Sequence, residues 1–365
     1  LLFSENVGIV FQASTEVEAM LSAQQIKVCK IGEVTSTPTL TIKNGASETL
    51  DLDINHLRDV WFKTSYLLDR KQSGPAKAKE RYENYKTQPL KYNFPSHFNG
   101  QKPVIDETKP RPKAAIIREK GSNSERELAN AMYLAGFDVK DVHMTDLISG
   151  RETLEDIKFI GAVGGFSNSD VLGSAKGWAG AFLYNEKARV ALENFFARPD
   201  TLSVGVCNGC QLFVELGLIN KDHAEKPKML HNESHKHESV FSSLTIAENN
   251  SVMLSSLAGS TLGVWVSHGE GRFQLPYSED QYSIVAKYAY ESYPASPNGS
   301  DYNTAMMCDE SGRHLVMMPH IERSVFQWHW ANYPKGRKDQ VSPWMEAFVN
   351  ARVWVERQHT SIPQS

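Results

Sequence analysis

The chain has 365 residues, which corresponds to two or three domains of a typical size of roughly 150 residues. Hydrophobic residues make up 41% and charged residues 22% of it, as in ordinary globular proteins, so extensive disorder is excluded. The formal net charge of -4 argues against nucleic acid as the main partner, because phosphate binding favours a basic surface. No apolar run approaches the roughly 20 residues that cross a bilayer, so we expect no membrane partner. The 4 cysteines are too few for a disulfide scaffold, which favours the reducing cytoplasm.

The first part of the chain predicts a small α/β piece followed by a connector. Residues 1–62 combine β-forming runs, the first at residues 6–13, with one stretch of helical spacing, and carry too few apolar side chains for an independently stable domain. Because the chain also begins at Leu1 without Met, we expect a piece of a longer protein that packs on a partner domain. Residues 63–112 are rich in lysine, arginine and proline and predict a linker that is partly helical. A nucleic-acid arm is an alternative for the basic residues, but a solvated linker is favoured.

Residues 113–357 predict a complete α/β domain, followed by a short tail at residues 358–365. Strands are predicted at residues 114–117, 136–139, 159–163, 202–206 and 315–318, and helices at residues 121–134, 178–196 and 208–216. This alternation predicts a parallel sheet with helices on both faces. Ligands bind at the carboxyl ends of such strands, so the turns after Val163, Val206 and Met318 are the candidate site.

Cys207 follows one of these strands in the pattern Gly205-x-Cys207-x-Gly209. The same pattern, with serine, forms the sharp strand-to-helix turn of hydrolase nucleophiles, where the flanking glycines leave the space that Cβ atoms would occupy. The helix that follows points its N-terminus at the sulfur, which favours the reactive thiolate. Cys207 is therefore the predicted nucleophile.

The spacing of the cysteines leaves other interpretations open. Cys207-x-x-Cys210 is also a redox spacing, and with His231-x-x-x-His235 it superficially resembles a zinc site. A thioredoxin-like unit is smaller than this domain and needs no glycine on both sides of its first cysteine. The interval to His231 is longer than in a zinc finger. A redox module, a zinc site and buried structural cysteines remain alternatives to the nucleophile.

A cysteine nucleophile needs a base, a group that orients the base, and donors for an oxyanion. His320 lies just beyond the predicted strand at residues 315–318, and Glu322 is two positions further on, close enough to hold the imidazole. The backbone N–H of Asn208 and one from the turn at residues 164–165 are the candidate oxyanion donors. These groups complete a predicted cysteine hydrolase site.

The remaining histidines are weaker candidates. His231, His235 and His237 lie in a polar stretch that favours solvated side chains over metal ligands. His268 follows the apolar run at residues 262–266 and is compatible with lining the same cavity or with hydrogen-bonding a turn. We predict no metal site in this chain.

Seven blocks of residues resemble, in the same order, the glutaminase domain of the phosphoribosylformylglycinamidine synthase family. The blocks are residues 118–123, 143–147, 164–173, 205–211, 266–272, 293–300 and 319–323. The resemblance covers residues 113–357 and implies a class I glutaminase-like α/β fold with a mostly parallel sheet. Two departures, Ile321 where many relatives carry Pro and Asn168-Ser169 where many carry Tyr-Gly, concern the pocket and remove no reacting atom.

The resemblance implies a triad of Cys207, His320 and Glu322 that hydrolyses glutamine. Cys207 would attack the side-chain amide to form a γ-glutamyl thioester, His320 would carry the protons, and Glu322 would orient His320. Water would then release glutamate, and ammonia would pass to a synthetase site. The other implied residues are the oxyanion donors Gly165 and Asn208, and the pocket residues Gln211, His268 and Glu270.

The resemblance extends to the first part of the chain. Residues 1–62 resemble the end of the second aminoimidazole-ribonucleotide-synthetase-like domain of the same family, an α+β lobe. In this ligase family of purine biosynthesis, the synthetase region uses ATP to convert formylglycinamide ribonucleotide to formylglycinamidine ribonucleotide. We expect ATP and Mg²⁺ to bind there, and no cofactor in this chain, which carries no glycine-rich phosphate loop. L-glutamine is the expected substrate and the rest of the synthetase the expected protein partner.

Overall fold

A computed structural model describes residue 5, residues 7–44 and residues 48–360 of the chain. The chain divides into two compact units, Leu1–Ser65 and Tyr66–Ser365. Among the described residues, none of the helices combines the length and the apolar character that a membrane span requires.

The first unit contains a short helix, a hairpin and the start of a longer helix. These are α1 (Thr15–Ala23), β1 (Thr39–Asn44), β2 (Glu48–Asp53) and the start of α2 (Ile54–Gln72). β1 and β2 pair antiparallel, with Thr39 opposite Asp53. Of the run predicted as a strand at residues 6–13, Asn6 lies outside the described residues and residues 7–13 form no strand. Its apolar side chains stay exposed, Ile9 at 87% and Val10 at 81%, because no described strand pairs with this run.

The second unit is built around one 9-stranded sheet. Its helices are α3 (Gly74–Asn84), α4 (Glu125–Ala135), α5 (Met144–Ser149), α6 (Lys176–Leu183), α7 (Glu186–Ala197), α8 (Asn208–Glu215) and α9 (Trp344–Thr360). Its first strands are β3 (Lys113–Arg118), β4 (Ser122–Asn123), β5 (Asp138–His143), β6 (Phe159–Ala162), β7 (Gly164–Gly165), β8 (Leu202–Val206) and β9 (Lys228–Leu230). Its later strands are β10 (Glu238–Ile246), β11 (Thr261–His268), β12 (Arg272–Gln274), β13 (Ser283–Tyr288), β14 (Thr304–Cys308) and β15 (His314–Met317). The predicted tail overlaps the end of α9, and its residues 361–365 lie outside the described residues.

The strands of the large sheet follow the order β11-β10-β13-β14-β15-β8-β6-β3-β5. β5, β3, β6, β8 and β15 run parallel to one another. The central strands β6, β8 and β15 are buried throughout, as expected for apolar runs covered on both faces. The predicted α/β class with its mostly parallel central sheet is confirmed. From β15 onward the sheet is extended by antiparallel pairs through β14, β13, β10 and β11.

Helices cover both faces of the sheet, and two neighbouring residues of β6 demonstrate it. A Cβ placed on Gly161 would lie 2.7 Å from side-chain atoms of Leu128 and Met132 in α4. Gly209 of α8 packs instead against the next residue, Ala162. Consecutive residues of a strand point to opposite faces, so α4 and α8 lie on opposite sides of the sheet. α9 packs on α4, and α6 packs on α8.

Two helix boundaries differ from their prediction, one because an asparagine caps a new helix and the other because polar residues pair as a short strand. The helix predicted over residues 178–196 is divided into α6 and α7 at Asn185, whose side-chain oxygen accepts a hydrogen bond from the N–H of Ala188 at 3.0 Å. The residues predicted to open α4 form β4 instead, which pairs with β7 beside the site. α4 itself begins at Glu125.

Part of the segment predicted as a linker packs on the second unit through aromatic side chains. The ring centroid of Phe94 lies 5.6 Å from that of Trp330 and 5.4 Å from that of Tyr333. Nearby, the backbone N–H of Asn93 donates to the carbonyl oxygen of Thr261 at 2.9 Å. This stretch is therefore held by ring contacts with Trp330 and Tyr333 and by backbone pairing with the edge strand β11.

We expect Asn185→Ala to destabilise the second unit by about 1 kcal/mol, because it removes the side-chain cap of α7. Urea denaturation measures the change. Asn185→Ser is the matched control, since serine caps a helix about as well as asparagine, and it should stay within a few tenths of a kcal/mol of the parent. Equal loss of stability in both variants would contradict the capping role.

Candidate active site

Cys207 lies at the carboxyl end of β8, in the turn that enters α8. Its backbone has φ 52° and ψ −105°, a conformation that residues with a side chain rarely adopt. The N–H of Cys207 donates to the carbonyl oxygen of Met317 at 2.8 Å, which joins the turn to the end of β15. The Cys207 Sγ lies 3.6 Å from the carbonyl oxygen of Ser267 at the end of β11. The strained turn therefore brings the thiol to the point where three strands end.

The two glycines that flank Cys207 are required by backbone contacts. A Cβ on Gly205 would lie 2.6 Å from the carbonyl oxygen of Gly209. A Cβ on Gly209 would collide with the backbone of Ala162 in β6. The pattern that identified Cys207 in the sequence thus reflects close packing of α8 against β6 and β8.

Cys207 immediately precedes α8, so the thiol lies at the N-terminus of a helix. The first N–H groups of a helix have no acceptor within it and carry partial positive charge. Asn208 is the first residue of α8, and its N–H belongs to this set. The fold therefore supplies at Asn208 the kind of donor that an oxyanion beside the thiol requires.

His320 and Glu322 follow β15 and form a buried pair. The His320 Nδ1 and the Glu322 Oε1 are 2.6 Å apart, and the two side chains are 3% and 0% exposed. The backbone N–H of His320 donates to the carbonyl oxygen of Trp265 at 2.8 Å, which holds the loop against β11. The imidazole is thus oriented by a carboxylate and by the backbone at once.

The protonation of His320 is set by its neighbours. Burial by itself lowers the pKa of the imidazole, but the charge of the Glu322 carboxylate and hydrogen bonds with Cys207 and Glu322 outweigh burial. Together they raise the pKa of His320 to about 10. The imidazolium is therefore the favoured form at neutral pH.

Gly164 lies between the thiol and the imidazole. A Cβ added to it would lie 2.8 Å from the His320 Cε1 and 3.3 Å from the Cys207 Cβ. Gly165 follows with φ 106°, and a Cβ there would lie 2.5 Å from the backbone nitrogen of Asn123. Only glycine fits this turn, which brings the backbone of β7 alongside Cys207.

A cavity of about 280 Å³ opens beside Cys207. Four of the other predicted residues line it: Gly165, Gln211, His268 and Glu270. Asn208 does not line it; its buried amide accepts from the N–H of Ser167 at 3.2 Å and donates to the Gln211 Oε1 at 2.9 Å. The Asn208 side chain therefore acts on the cavity indirectly, by holding Gln211.

Gln211 and Glu270 both line the cavity and are joined by a hydrogen bond. The Gln211 Nε2 donates to the backbone carbonyl of Glu270 at 2.7 Å. The Glu270 carboxylate in turn accepts from the backbone N–H of Ser174 at 3.3 Å. Asp170 and Ser174 also line the cavity, and the predicted site did not include them. The only sequence signal for Asp170 was its place in the block at residues 164–173.

Asp170 adds a second acidic group to this cavity. Its Oδ2 accepts from the Ser174 hydroxyl at 3.2 Å, whereas its Oδ1 is buried without a hydrogen-bond partner in the described structure. Burial raises the pKa of the Asp170 carboxyl, and the charge of Glu270 adds to the increase. The Asp170 and Glu270 carboxyl groups therefore give this cavity an acidic wall.

His268 belongs to a buried amide network behind the cavity. Its Nδ1 lies 3.1 Å from the Asn232 Oδ1, and its Nε2 lies 3.5 Å from the Asn298 Nδ2. Asn232 also accepts from the N–H of Gly271 at 3.0 Å, and Asn298 donates to the Gly271 carbonyl at 2.9 Å. The network holds the loop that carries Glu270. Neither asparagine was predicted as a site residue: Asn232 belongs to no motif, and the only sequence signal for Asn298 was its place in the block at residues 293–300.

The groups behind the alternative interpretations are placed as follows. Cys207 and Cys210 are free thiols, and burial raises the pKa of Cys210 well above its usual range. His231 and His235 line the same cavity as Cys207, and the His231 side chain is 73% exposed. Within the described ranges, no three His, Cys, Asp or Glu residues are grouped so as to hold a metal ion.

We expect His268→Gln to flatten the acid dependence of stability. Burial and the nearby His320 lower the pKa of His268 to about 3, whereas an unfolded histidine titrates near about 6.5. At pH values between these two pKa values, His268 is protonated in the unfolded chain but neutral in the folded protein. The free energy of unfolding therefore falls as the pH falls. The slope lost in the variant is at most about 1.4 kcal/mol per pH unit. Urea denaturation from pH 8 to pH 4 measures it, and parallel curves for parent and variant would contradict the assignment.

Comparisons with known proteins agree with the resemblance seen in the sequence. The chain is 39% identical to a probable phosphoribosylformylglycinamidine synthase of Arabidopsis thaliana, and 36% identical to the phosphoribosylformylglycinamidine synthase of Homo sapiens. Each alignment covers 97% of this chain, but only 27% of the plant protein and 29% of the human protein. The chain thus spans less than a third of the length of these relatives. The family resemblance predicted from the sequence is confirmed.

The fold is also found among solved structures. A chain of PurLQS from Thermotoga maritima superposes with a TM-score of 0.52 and 24% sequence identity, over 67% of this chain and 100% of the other. The CobB/CobQ-like glutamine amidotransferase domain model matches residues 111–355, which include every residue placed above around Cys207. The chain therefore belongs to the family of CobB/CobQ-like glutamine amidotransferase domains.

Proposed function

We propose that this chain is the glutaminase part of an ATP-dependent amidotransferase that makes formylglycinamidine ribonucleotide in purine biosynthesis. The observation that supports it most directly is the strained Cys207 turn beside the buried pair of His320 and Glu322. The similarity to phosphoribosylformylglycinamidine synthases supports the identity of the wider reaction. L-glutamine is the proposed substrate.

Cys207 is the proposed nucleophile of glutamine hydrolysis. The thiolate attacks the side-chain amide carbon, and the N–H of Asn208, with that of Gly165, holds the oxyanion of the tetrahedral intermediate. The imidazolium of His320 gives its proton to the departing nitrogen, so ammonia leaves and a γ-glutamyl thioester remains. Neutral His320 then takes a proton from water, which attacks the thioester. Glutamate leaves, and the thiolate of Cys207 and the imidazolium of His320 are restored.

The cavity walls match the other end of glutamine. The α-ammonium of the substrate is cationic, and the Asp170 and Glu270 carboxyl groups line the cavity that would receive it. The Gln211 side chain holds Glu270 in place by donating a hydrogen bond to the backbone carbonyl of Glu270. His268 stays neutral at physiological pH because burial lowers its pKa, so it adds no charge that would repel the α-ammonium.

The synthetase half of the reaction is proposed to lie elsewhere in the protein. There ATP, with Mg²⁺, would activate the amide oxygen of formylglycinamide ribonucleotide, and the ammonia released at Cys207 would replace that oxygen to form the amidine. No step in this chain is assigned to ATP or to Mg²⁺. The rest of the synthetase is the proposed partner, and a reducing compartment such as the cytoplasm suits the free cysteines.

A diazo-ketone analogue of glutamine should add one label, at Cys207. Mass spectrometry of the digested full-length protein locates it. Cys207→Ala should abolish labelling and reduce glutamine hydrolysis by more than about a thousandfold. Cys210→Ala is the matched control and should still be labelled at Cys207. A label on Cys210 or Cys29 with Cys207 untouched would contradict the assignment.

Glu322→Gln should lower kcat for glutamine hydrolysis by roughly a hundredfold to ten-thousandfold, as loss of the orienting carboxylate does in other triads. Glutamine keeps the shape of the side chain but removes the charge that raises the pKa of His320. An NMR titration of the imidazole should therefore show a lower pKa in the variant. Glu356→Gln removes a half-exposed carboxylate of α9 that pairs with Arg352, and serves as control. An unchanged rate in Glu322→Gln would exclude the triad.

A further inference from the structure

One wall of the glutamine cavity is a loop, residues 231–237, that leads into β10. His231, His235, Lys236 and His237 of this loop all line the cavity. His235 has φ 56°, which is an unfavourable backbone conformation for a residue with a side chain. Such a conformation persists only where surrounding contacts impose it.

Three ion pairs connect this stretch to the two helices that precede the glutaminase sheet. Lys236 pairs with Asp69 near the end of α2, at 2.5 Å. Glu233 pairs with Lys77 of α3, at 3.0 Å. Glu238, the first residue of β10, pairs with Arg81 of α3.

The Asp69–Lys236 pair is largely removed from solvent. The two side chains are 12% and 11% exposed, and the Ser73 hydroxyl also donates to the Asp69 Oδ1 at 2.7 Å. Burial by itself raises the pKa of the Asp69 carboxyl, but hydrogen bonds from Lys236 and Ser73 outweigh it and lower the pKa. Removing one member of such a pair leaves the other as a buried, uncompensated charge.

The Arg81–Glu238 pair is part of a small network. The Glu238 side chain is 2% exposed, and its Oε1 accepts from the Ser234 hydroxyl at 2.5 Å and from the Tyr293 hydroxyl at 2.8 Å. The Arg81 guanidinium lies 5.1 Å from the centroid of the Tyr293 ring. Glu238 is paired across the sheet with His268, which lines the cavity. The network therefore holds the second end of the loop beside the cavity.

We propose that Asp69 and Arg81 are positioning residues of the glutamine cavity, which hold its loop wall through Lys236 and Glu238 and thereby determine the KM for glutamine. The inference rests on the proposed glutaminase function, which it extends to two helices outside the sheet. The triad lies on the ends of β8 and β15 and is held by other contacts, so the rate of the chemical step should not depend on these pairs.

Kinetics of the full-length protein test this proposal. Asp69→Asn and Arg81→Gln should each raise the KM for glutamine about tenfold while kcat stays within about twofold, because they loosen the binding wall and not the triad. Arg81→Lys keeps the charge and should recover part of the loss. Glu83→Gln is the matched control, because Glu83 pairs only loosely with Lys79, at 4.0 Å, on the exposed side of α3. An unchanged KM in both variants, or a fall in kcat that exceeds the rise in KM, would overturn the proposal.

Hydrogen exchange separates this inference from the glutaminase proposal. Backbone amides of residues 232–237 should exchange faster in Asp69→Asn and Arg81→Gln than in the parent and in Glu83→Gln. If the parent hydrolyses no glutamine, the proposed function fails, and the exchange rates alone then decide whether the pairs hold the loop. Unchanged exchange at residues 232–237 would overturn that role as well.

Discussion

The site depends on the tight turn in which β8 becomes α8. Its backbone at Cys207 is strained, and strain of this kind is retained only where the surrounding structure imposes it. Here α8 is packed so closely on β6 and β8 that no side chain fits at Gly205 or Gly209. This close packing imposes the strained backbone at Cys207. It also places the thiol at the N-terminus of α8 and at the ends of three strands. The reactive geometry is therefore a consequence of core packing.

Around that turn, the cavity is built from polar groups that hold one another. Glu270 lies in a loop whose backbone forms hydrogen bonds with the side chains of Asn232 and Asn298. The backbone carbonyl of Glu270 also accepts a hydrogen bond from Gln211. Such a network is favourable only when its members are paired, since an unpaired polar group in the interior costs a few kcal/mol. The proposed support of the loop at residues 231–237 by α2 and α3 belongs to the same pattern. Substrate binding would then depend on residues far from the thiol in sequence.

Much of the fold could be predicted from local sequence, and the failures have identifiable causes. Apolar runs long enough to be buried on both faces, such as β6 and β8, were predicted within one residue of their observed ends. The boundary between α6 and α7 was missed because Asn185 caps a helix only once the chain turns there. The strand predicted at residues 6–13 failed over residues 7–13 because apolar character alone forms no strand without a partner to pair with.

The sequence by itself identified the family and the candidate triad: the glycines around Cys207 and the order of the motifs led to the family, and to His320 and Glu322 as the partners to consider. These signals are local, since each depends on a few neighbouring residues. Only the tertiary structure decided that Asp170 lines the cavity, that Asn208 acts on it through Gln211, and that Asp69 pairs with Lys236 of its wall. Those contacts join segments distant in the chain, and no local pattern records them, because an isolated aspartate or asparagine acquires its role only from the residues that folding places beside it.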